Sequence, residues 1–236
     1  MNREYFQFKQ FVVYQELCAM KVGTDGVLLG SWFHVPDEGN VLDIGTGTGL
    51  IALMAAQRSP HANIMGIDID AGAVEQARRN AGATAWSTRL RFQQADAAIF
   101  TSDVRYDSIV CNPPFFTRSL QGPDARRNQA RHAESLPFLS LIGAVKILLA
   151  DKGTFNVILP VEKGDEFTQM CWENNLNICR KCTVYPKVRK PAKRVMLSFT
   201  RERASYPREE RLFIIDENGD YTLEYKQLTG EFYLKI

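Results

Sequence analysis

The sequence predicts an α/β fold, with a mostly parallel seven-stranded sheet, an antiparallel edge strand and helices on both faces. Three observations predict it. Short apolar runs at 41–44, 64–67, 90–92, 108–111 and 154–159 read as buried strands. Helical patterns at 50–58, 71–82 and 136–150 lie between them, with another at 163–174, and strands alternating with helices in this way form βαβ units. Two last runs, 178–185 and 195–199, follow with no helix between them and so form an antiparallel pair at one edge.

The remaining elements follow in chain order. Alternation of Phe6, Phe8, Phe11 and Val13 predicts an extended N-terminal segment, and 24–32 a helix with Thr24 as N-cap. Asn218-Gly219 is a turn signal for a final hairpin. No repeat, low-complexity tract or linker divides the chain, so 1–236 is expected to be one domain with 1–35 as an N-terminal extension.

Composition excludes other classes. With 45% hydrophobic and 24% charged residues in a chain of 236, a disordered, collagen-like or coiled-coil protein is ruled out. The longest apolar stretch, 138–150, is interrupted by Ser140 and Lys146 and is too short to cross a bilayer. The start carries no apolar leader, and five scattered cysteines suit a reducing cytoplasm. Nothing marks an obligate protein partner. The net charge is only +2, yet 180–211 holds eleven basic residues against three acidic ones. Lys187, Arg189 and Lys190 lie within it, and Arg118, Arg126, Arg127 and Arg131 form a smaller group. Such clusters are the electrostatic footprint of a polyanion.

The segment Asp43-Ile44-Gly45-Thr46-Gly47-Thr48-Gly49 runs from a strand through three alternate glycines into an amphipathic helix. Glycine there lets the main chain pass close to a ligand. Asp68 ends the next strand, where a carboxylate can accept hydrogen bonds from a ribose diol. Gly47-x-Gly49-x-x-Ala52 also satisfies a relaxed dinucleotide pattern. The stricter fit is to the D/E-x-G-x-G-x-G loop, which resembles that of class I S-adenosylmethionine-dependent methyltransferases. The resemblance implies a Rossmann-like fold and S-adenosylmethionine as cofactor. Asp43, Gly45, Gly47 and Gly49 would form the loop, Asp68 would hold the ribose and Asp96 the adenine amino group.

The strand at 108–111 delivers Asn112-Pro113-Pro114-Phe115 at its carboxyl end, and the two prolines make the turn rigid. The tetrapeptide resembles the N/D-P-P-Y/F/W motif of methyltransferases that modify a planar nitrogen. An exocyclic amine conjugated to a purine is a poor nucleophile. Acceptors at its two N–H groups, the Asn112 side-chain oxygen and the Pro113 carbonyl, favour pyramidalisation, and the Phe115 ring would stack on the base.

The segment at 20–30, Met-Lys-Val-Gly-Thr-Asp-Gly-Val-Leu-Leu-Gly, closely resembles one in the bacterial tRNA(Val) adenine-N(6) methyltransferase family. That family acts on adenine 37, beside the anticodon. The resemblance places Lys21, Thr24 and Asp25 next to the cofactor and tRNA as substrate. Phe115, Arg118, Arg127, Arg131, Lys187, Arg189 and Lys190 would contact the RNA. Asn-Pro-Pro-Phe also occurs in ribosomal RNA guanine methyltransferases, and Asn-Pro-Pro-Tyr in glutamine methyltransferases, so the tetrapeptide alone leaves these open, together with a non-catalytic RNA-binding relative. Cys179 and Cys182 have the C-x-x-C spacing without further ligands, and His34, His61 and His132 are isolated, so no metal is expected.

Overall fold

The computed structural model describes residues 4–113, 138–203 and 206–236. Two short N-terminal strands, β1 (Tyr5–Gln7) and β2 (Val12–Tyr14), pair antiparallel, and helix α1 (Thr24–Trp32) follows. Gly23 stands at the N-cap of α1 with no side-chain capping bond, so Thr24 is the first helical residue and not the cap expected of it.

The α/β alternation then begins with β3 (Asn40–Ile44), α2 (Leu50–Arg58), β4 (Asn63–Asp68), α3 (Ala71–Gly82), β5 (Leu90–Gln94) and β6 (Tyr106–Cys111). It continues with α4 (Phe138–Leu148), β7 (Leu149–Pro160), α5 (Val161–Glu173), β8 (Asn177–Lys187), β9 (Arg194–Thr200) and β10 (Arg208–Ile215). A short helix, α6 (Leu223–Thr229), ends the chain's regular structure. The strands from β3 on form one sheet in the order β10-β8-β9-β7-β6-β3-β4-β5.

The sheet departs from expectation in two ways. It has eight strands, because β10 adds to β8 in parallel at the edge. The one antiparallel strand is β9, which lies between β7 and β8 and not at the edge. β10 escaped sequence reading because its first four residues, Arg-Glu-Glu-Arg, are charged, a composition that keeps an edge strand from pairing with other chains. Gly219 takes a left-handed φ of 98° in the expected turn, and Asp216 Oδ1 accepts the N–H groups of Asn218, Gly219 and Asp220. The hairpin reduces to a single Ile215–Tyr221 bridge before α6.

Alternation along the strands sorts the core into two layers. Val41, Ile64, Val110, Ile158 and Met196 face α1, α2 and α3. Leu42, Ile109, Phe155, Val157, Leu197 and Phe199 face α4 and α5, where Leu141, Val145 and Phe167 are fully buried. A fully buried Leu or Phe is worth about 1.5–3 kcal/mol, so both sheet faces drive folding. Helices α1 and α2 cross closely at Gly30, where a Cβ would sit 2.6 Å from Met54 Sδ.

This order places a topological switch at β3. The chain leaves β3 outward to β4 and β5, then returns to β6 on its other side. Adjacent loops turn in opposite directions there and leave a crevice at the carboxyl ends of the strands.

Candidate active site

The glycine loop lies at the switch. Gly45 and Thr46 donate their N–H groups to Ile67 O at 2.8 and 3.0 Å, which ties the loop to β4, and Gly49 N–H closes the turn on Thr46 O at 2.9 Å. Gly45 and Gly47 have φ of +72° and +54°, and a Cβ at either would meet no atom within 4 Å. Their requirement is therefore conformational, and the space beside the main chain is open to a ligand. At Gly49 a Cβ would be 3.1 Å from Ala77 Cβ, so that glycine lets α3 pack against the loop.

Two acids flank the loop. Asp43 is buried on β3, and its Oδ2 accepts the Thr46 hydroxyl at 2.7 Å. Burial pushes its carboxyl up to about 7, against hydrogen bonds from the Thr46 hydroxyl and the Ala52 amide, and the charge of Asp68 raises it further. Asp68, half-buried at the end of β4, accepts Gly47 N–H on Oδ2 at 2.9 Å and Asp70 N–H on Oδ1 at 3.0 Å. Burial raises its pKa, and the Asp70 and Gly47 amides oppose the rise. Helix capping falls to Asp70, which accepts Gly72 N–H at 2.8 Å and leaves Asp68 to the crevice. Asp96 lies exposed two residues past β5, with Oδ1 on Ala98 N–H at 2.9 Å.

An open left-handed cradle at Gly45 and Gly47 and an acid at the end of β4 fit an adenosyl cofactor. The cationic sulfonium and ammonium of S-adenosylmethionine suit a pocket whose nearest charges are carboxylates.

The N-terminal segment reaches this site through two buried amides that sequence reading missed. Asn80 exchanges hydrogen bonds with the Tyr14 backbone at 3.0 and 2.9 Å and also donates to Thr48 O at 2.9 Å, inside the glycine loop. Gln76, one turn earlier on α3, accepts Leu17 N–H at 3.1 Å. Amides four residues apart on the apolar face of a helix were the available signal, since buried polar side chains are bonded to something. Cys18 lies near Asp68 and Asp70; burial first, and then those carboxylates, push its thiol up to about 12.

Helix α1 bears on the Asn112-Pro113 turn. Asn112 follows β6 and is half-buried, and Pro113 is buried. A Cβ at Gly26 would lie 3.0 Å from Leu50 Cδ2 and 3.9 Å from Asn112 Nδ2, so α1 packs tightly on Leu50 with Asn112 at ordinary contact distance beside it. Asp25 accepts Arg194 Nε at 2.7 Å, which fastens the start of α1 to the start of β9. Thr24 and Lys21 are exposed at the same end of the helix.

Gly45, Gly47, Gly49, Asp68, Asp96, Asn112 and Pro113 thus collect at the carboxyl ends of β3 to β6. Lys187 ends β8 at the same sheet edge, three strands from β6. Lys190 N–H turns back on Lys187 O at 3.1 Å, and exposed Arg189 pairs with Glu217 at 3.1 Å. Phe115, Arg118, Arg127 and Arg131, with Pro114, Arg126 and His132, lie outside the described residues. Cys182 is buried in the core, Cys179 donates to Ser198 O at 3.3 Å, and among the described residues no group of side chains could hold a metal. No helix among them is long and apolar enough to cross a membrane.

The methyltransferase small domain family matches residues 18–152. A tRNA1(Val) (adenine(37)-N6)-methyltransferase of Phocaeicola vulgatus is 44% identical over 236 residues, and one of Bacteroides fragilis 42% over 239, each alignment covering all of both chains. A crystal structure of a predicted O-methyltransferase from Agrobacterium tumefaciens superposes with a TM-score of 0.68 at 17% identity, over 88% of this chain and 96% of that one, and so shares the fold. The chain belongs to the methyltransferase small domain family and, within it, to the family of the tRNA1(Val) (adenine(37)-N6)-methyltransferases.

Proposed function

We propose that the protein methylates the exocyclic amino group of an adenine in tRNA, at position 37 of tRNA(Val), in the cytoplasm and without an obligate protein partner. The observation that carries this reading is the meeting, at one sheet edge, of the open glycine loop, Asp68 and the Asn112-Pro113 turn under Gly26. When bound, S-adenosylmethionine supplies an electrophilic methyl group on a sulfonium.

The chain's own residues do the rest by positioning. Asp68 accepts from the ribose hydroxyls, and Asp96 from the adenine amino group of the cofactor. Asn112 and Pro113 accept hydrogen bonds from the target amine, which pulls its lone pair out of conjugation and aims it at the crevice. Phe115 stacks on the extruded base. No strong base is required, because the amine becomes acidic once alkylated and its proton passes to solvent. Fixed acceptors and orientation supply the rate. The basic groups at Arg118, Arg127 and Arg131 and at Lys187, Arg189 and Lys190 hold the flanking phosphates. Labelled methyl transfer from the cofactor to bulk tRNA tests the reading; transfer to ribosomal RNA or protein alone would overturn it.

A further inference from the structure

Strand β10 creates a surface that the catalytic turn does not use. On β8 and β10, alternate residues point to the α5 side of the sheet, with Lys181 opposite Glu209, Thr183 opposite Arg211, Tyr185 opposite Phe213 and Lys187 opposite Ile215. The other set faces the core, where Cys182, Val184 and Leu212 are buried. Helix α5 packs across β7, β9 and β8, and its Asp165 pairs with Lys181 of β8 at 3.7 Å. Beyond it Tyr185 and Phe213 stay half-exposed, stacked at 4.6 Å and 21°. Arg211 is exposed beside them. A hollow of about 320 Å³ opens here, lined by Lys181, Thr183, Tyr185, Glu209, Glu210 and Arg211.

We infer that this sheet face is a second RNA-docking platform, on which an unpaired base of the tRNA stacks while Lys181, Lys187 and Arg211 hold its phosphates. The inference rests on the tRNA reading above and extends it to a contact away from the target adenine. Two aromatic rings already stacked offer a further ring the same offset geometry, and a nucleobase is the planar partner that brings a negative backbone with it. Charge at the hollow is balanced, with Lys181, Lys187 and Arg211 against Glu209, Glu210 and Asp165, so the choice of a nucleobase rests on the stacked rings. The platform is also continuous with the 187–190 turn at the edge of the sheet that bears Asn112. Strands are about 4.8 Å apart, so β8 stands roughly 14 Å and β10 roughly 19 Å from β6, a distance that a few nucleotides span.

Two variants test the platform. Tyr185→Leu with Phe213→Leu keeps apolar bulk but removes both rings, and the exposed Arg211→Gln removes one charge without touching the fold. The apparent Kd for whole tRNA should rise about tenfold in the first. In the second the salt dependence of binding should flatten by about one phosphate contact. Cofactor affinity by calorimetry and kcat at saturating tRNA should stay at wild-type values in both. Wild-type tRNA affinity and salt slope in Arg211→Gln, or wild-type affinity in a folded double variant, would overturn the platform and leave the tRNA reading intact. So would a changed oligomeric state with unchanged RNA binding, which would give the face to a protein contact. Failure of the wild-type protein itself to bind or methylate tRNA would overturn the reading beneath it.

Discussion

The carboxylate of Asp68 accepts the main-chain N–H of Gly47 at 2.9 Å, across the gap between the end of β4 and the loop after β3. The acid proposed for the ribose and the loop proposed for the adenosyl group are therefore one bonded unit, oriented before any ligand arrives. Asp68→Ala should weaken S-adenosylmethionine by about 1–3 kcal/mol, since it removes the ribose acceptor and the brace on Gly47 together. Asp68→Asn, which keeps one acceptor oxygen, should lose less. Calorimetry checks both, and normal binding by folded Asp68→Ala would take the ribose from this residue.

Asp43 makes stability depend on pH. Its carboxyl, at about 7, lies above the ordinary value of 3.8, so the native state holds the proton more tightly than the unfolded chain. Wild-type stability should fall as pH rises through that window and level off above it. Asp43→Asn cannot titrate. Its stability relative to the wild type should improve between pH 4 and 7, by an amount on the order of 1–4 kcal/mol. Denaturant melts of both proteins across that range measure it, and parallel curves would show that Asp43 ionises freely.

The catalytic turn should separate chemistry from binding. Asn112→Ala is expected to leave cofactor affinity nearly intact while lowering single-turnover methyl transfer roughly a hundredfold or more. Gly26→Val should do the same less severely, because its side chain would press on Leu50 and displace the Asn112 amide. Rapid-quench kinetics with cofactor prebound reads the step directly. An unchanged rate in Asn112→Ala would remove Asn112 from the mechanism.

The loop after β8 should grip RNA. Changing Lys187, Arg189 and Lys190 together to Glu is expected to raise the tRNA Kd by at least tenfold and flatten its salt dependence, with cofactor binding spared. Arg189 gives up little in leaving Glu217, since that pair is largely exposed. Filter binding at three salt concentrations decides, and an unchanged slope would assign the charges to the solvated surface.

Much of this was legible in the sequence because local pattern and tertiary structure agree. The glycine loop and Asp68 sit where strand, turn and helix signals put them, and the run of α1 over 24–32 emerged from apolar periodicity. What escaped depended on pairings distant in sequence. β10 looked like a charged segment because its first four residues are charged, and only its register with β8 makes it a strand. The spacing of Gln76 and Asn80 is a local signal of buried amides, but nothing in it reveals that Tyr14 and Thr48 converge on Asn80. Asp25 read as a cofactor neighbour, while its ion pair with Arg194 spans most of the chain. Thr24 has the composition of a cap, but Gly23 already supplies the extended backbone that a cap requires.

The central claim is that the Asn112 turn presents an adenine amino group of tRNA to the cofactor's methyl. The most direct measurement incubates the purified protein with tRNA and S-adenosylmethionine carrying a labelled methyl, digests the RNA and identifies the labelled nucleoside. The account predicts N6-methyladenosine, formed by the wild-type protein and lost in Asn112→Ala. Label in a methylated guanosine, in protein or in no product at all would contradict it.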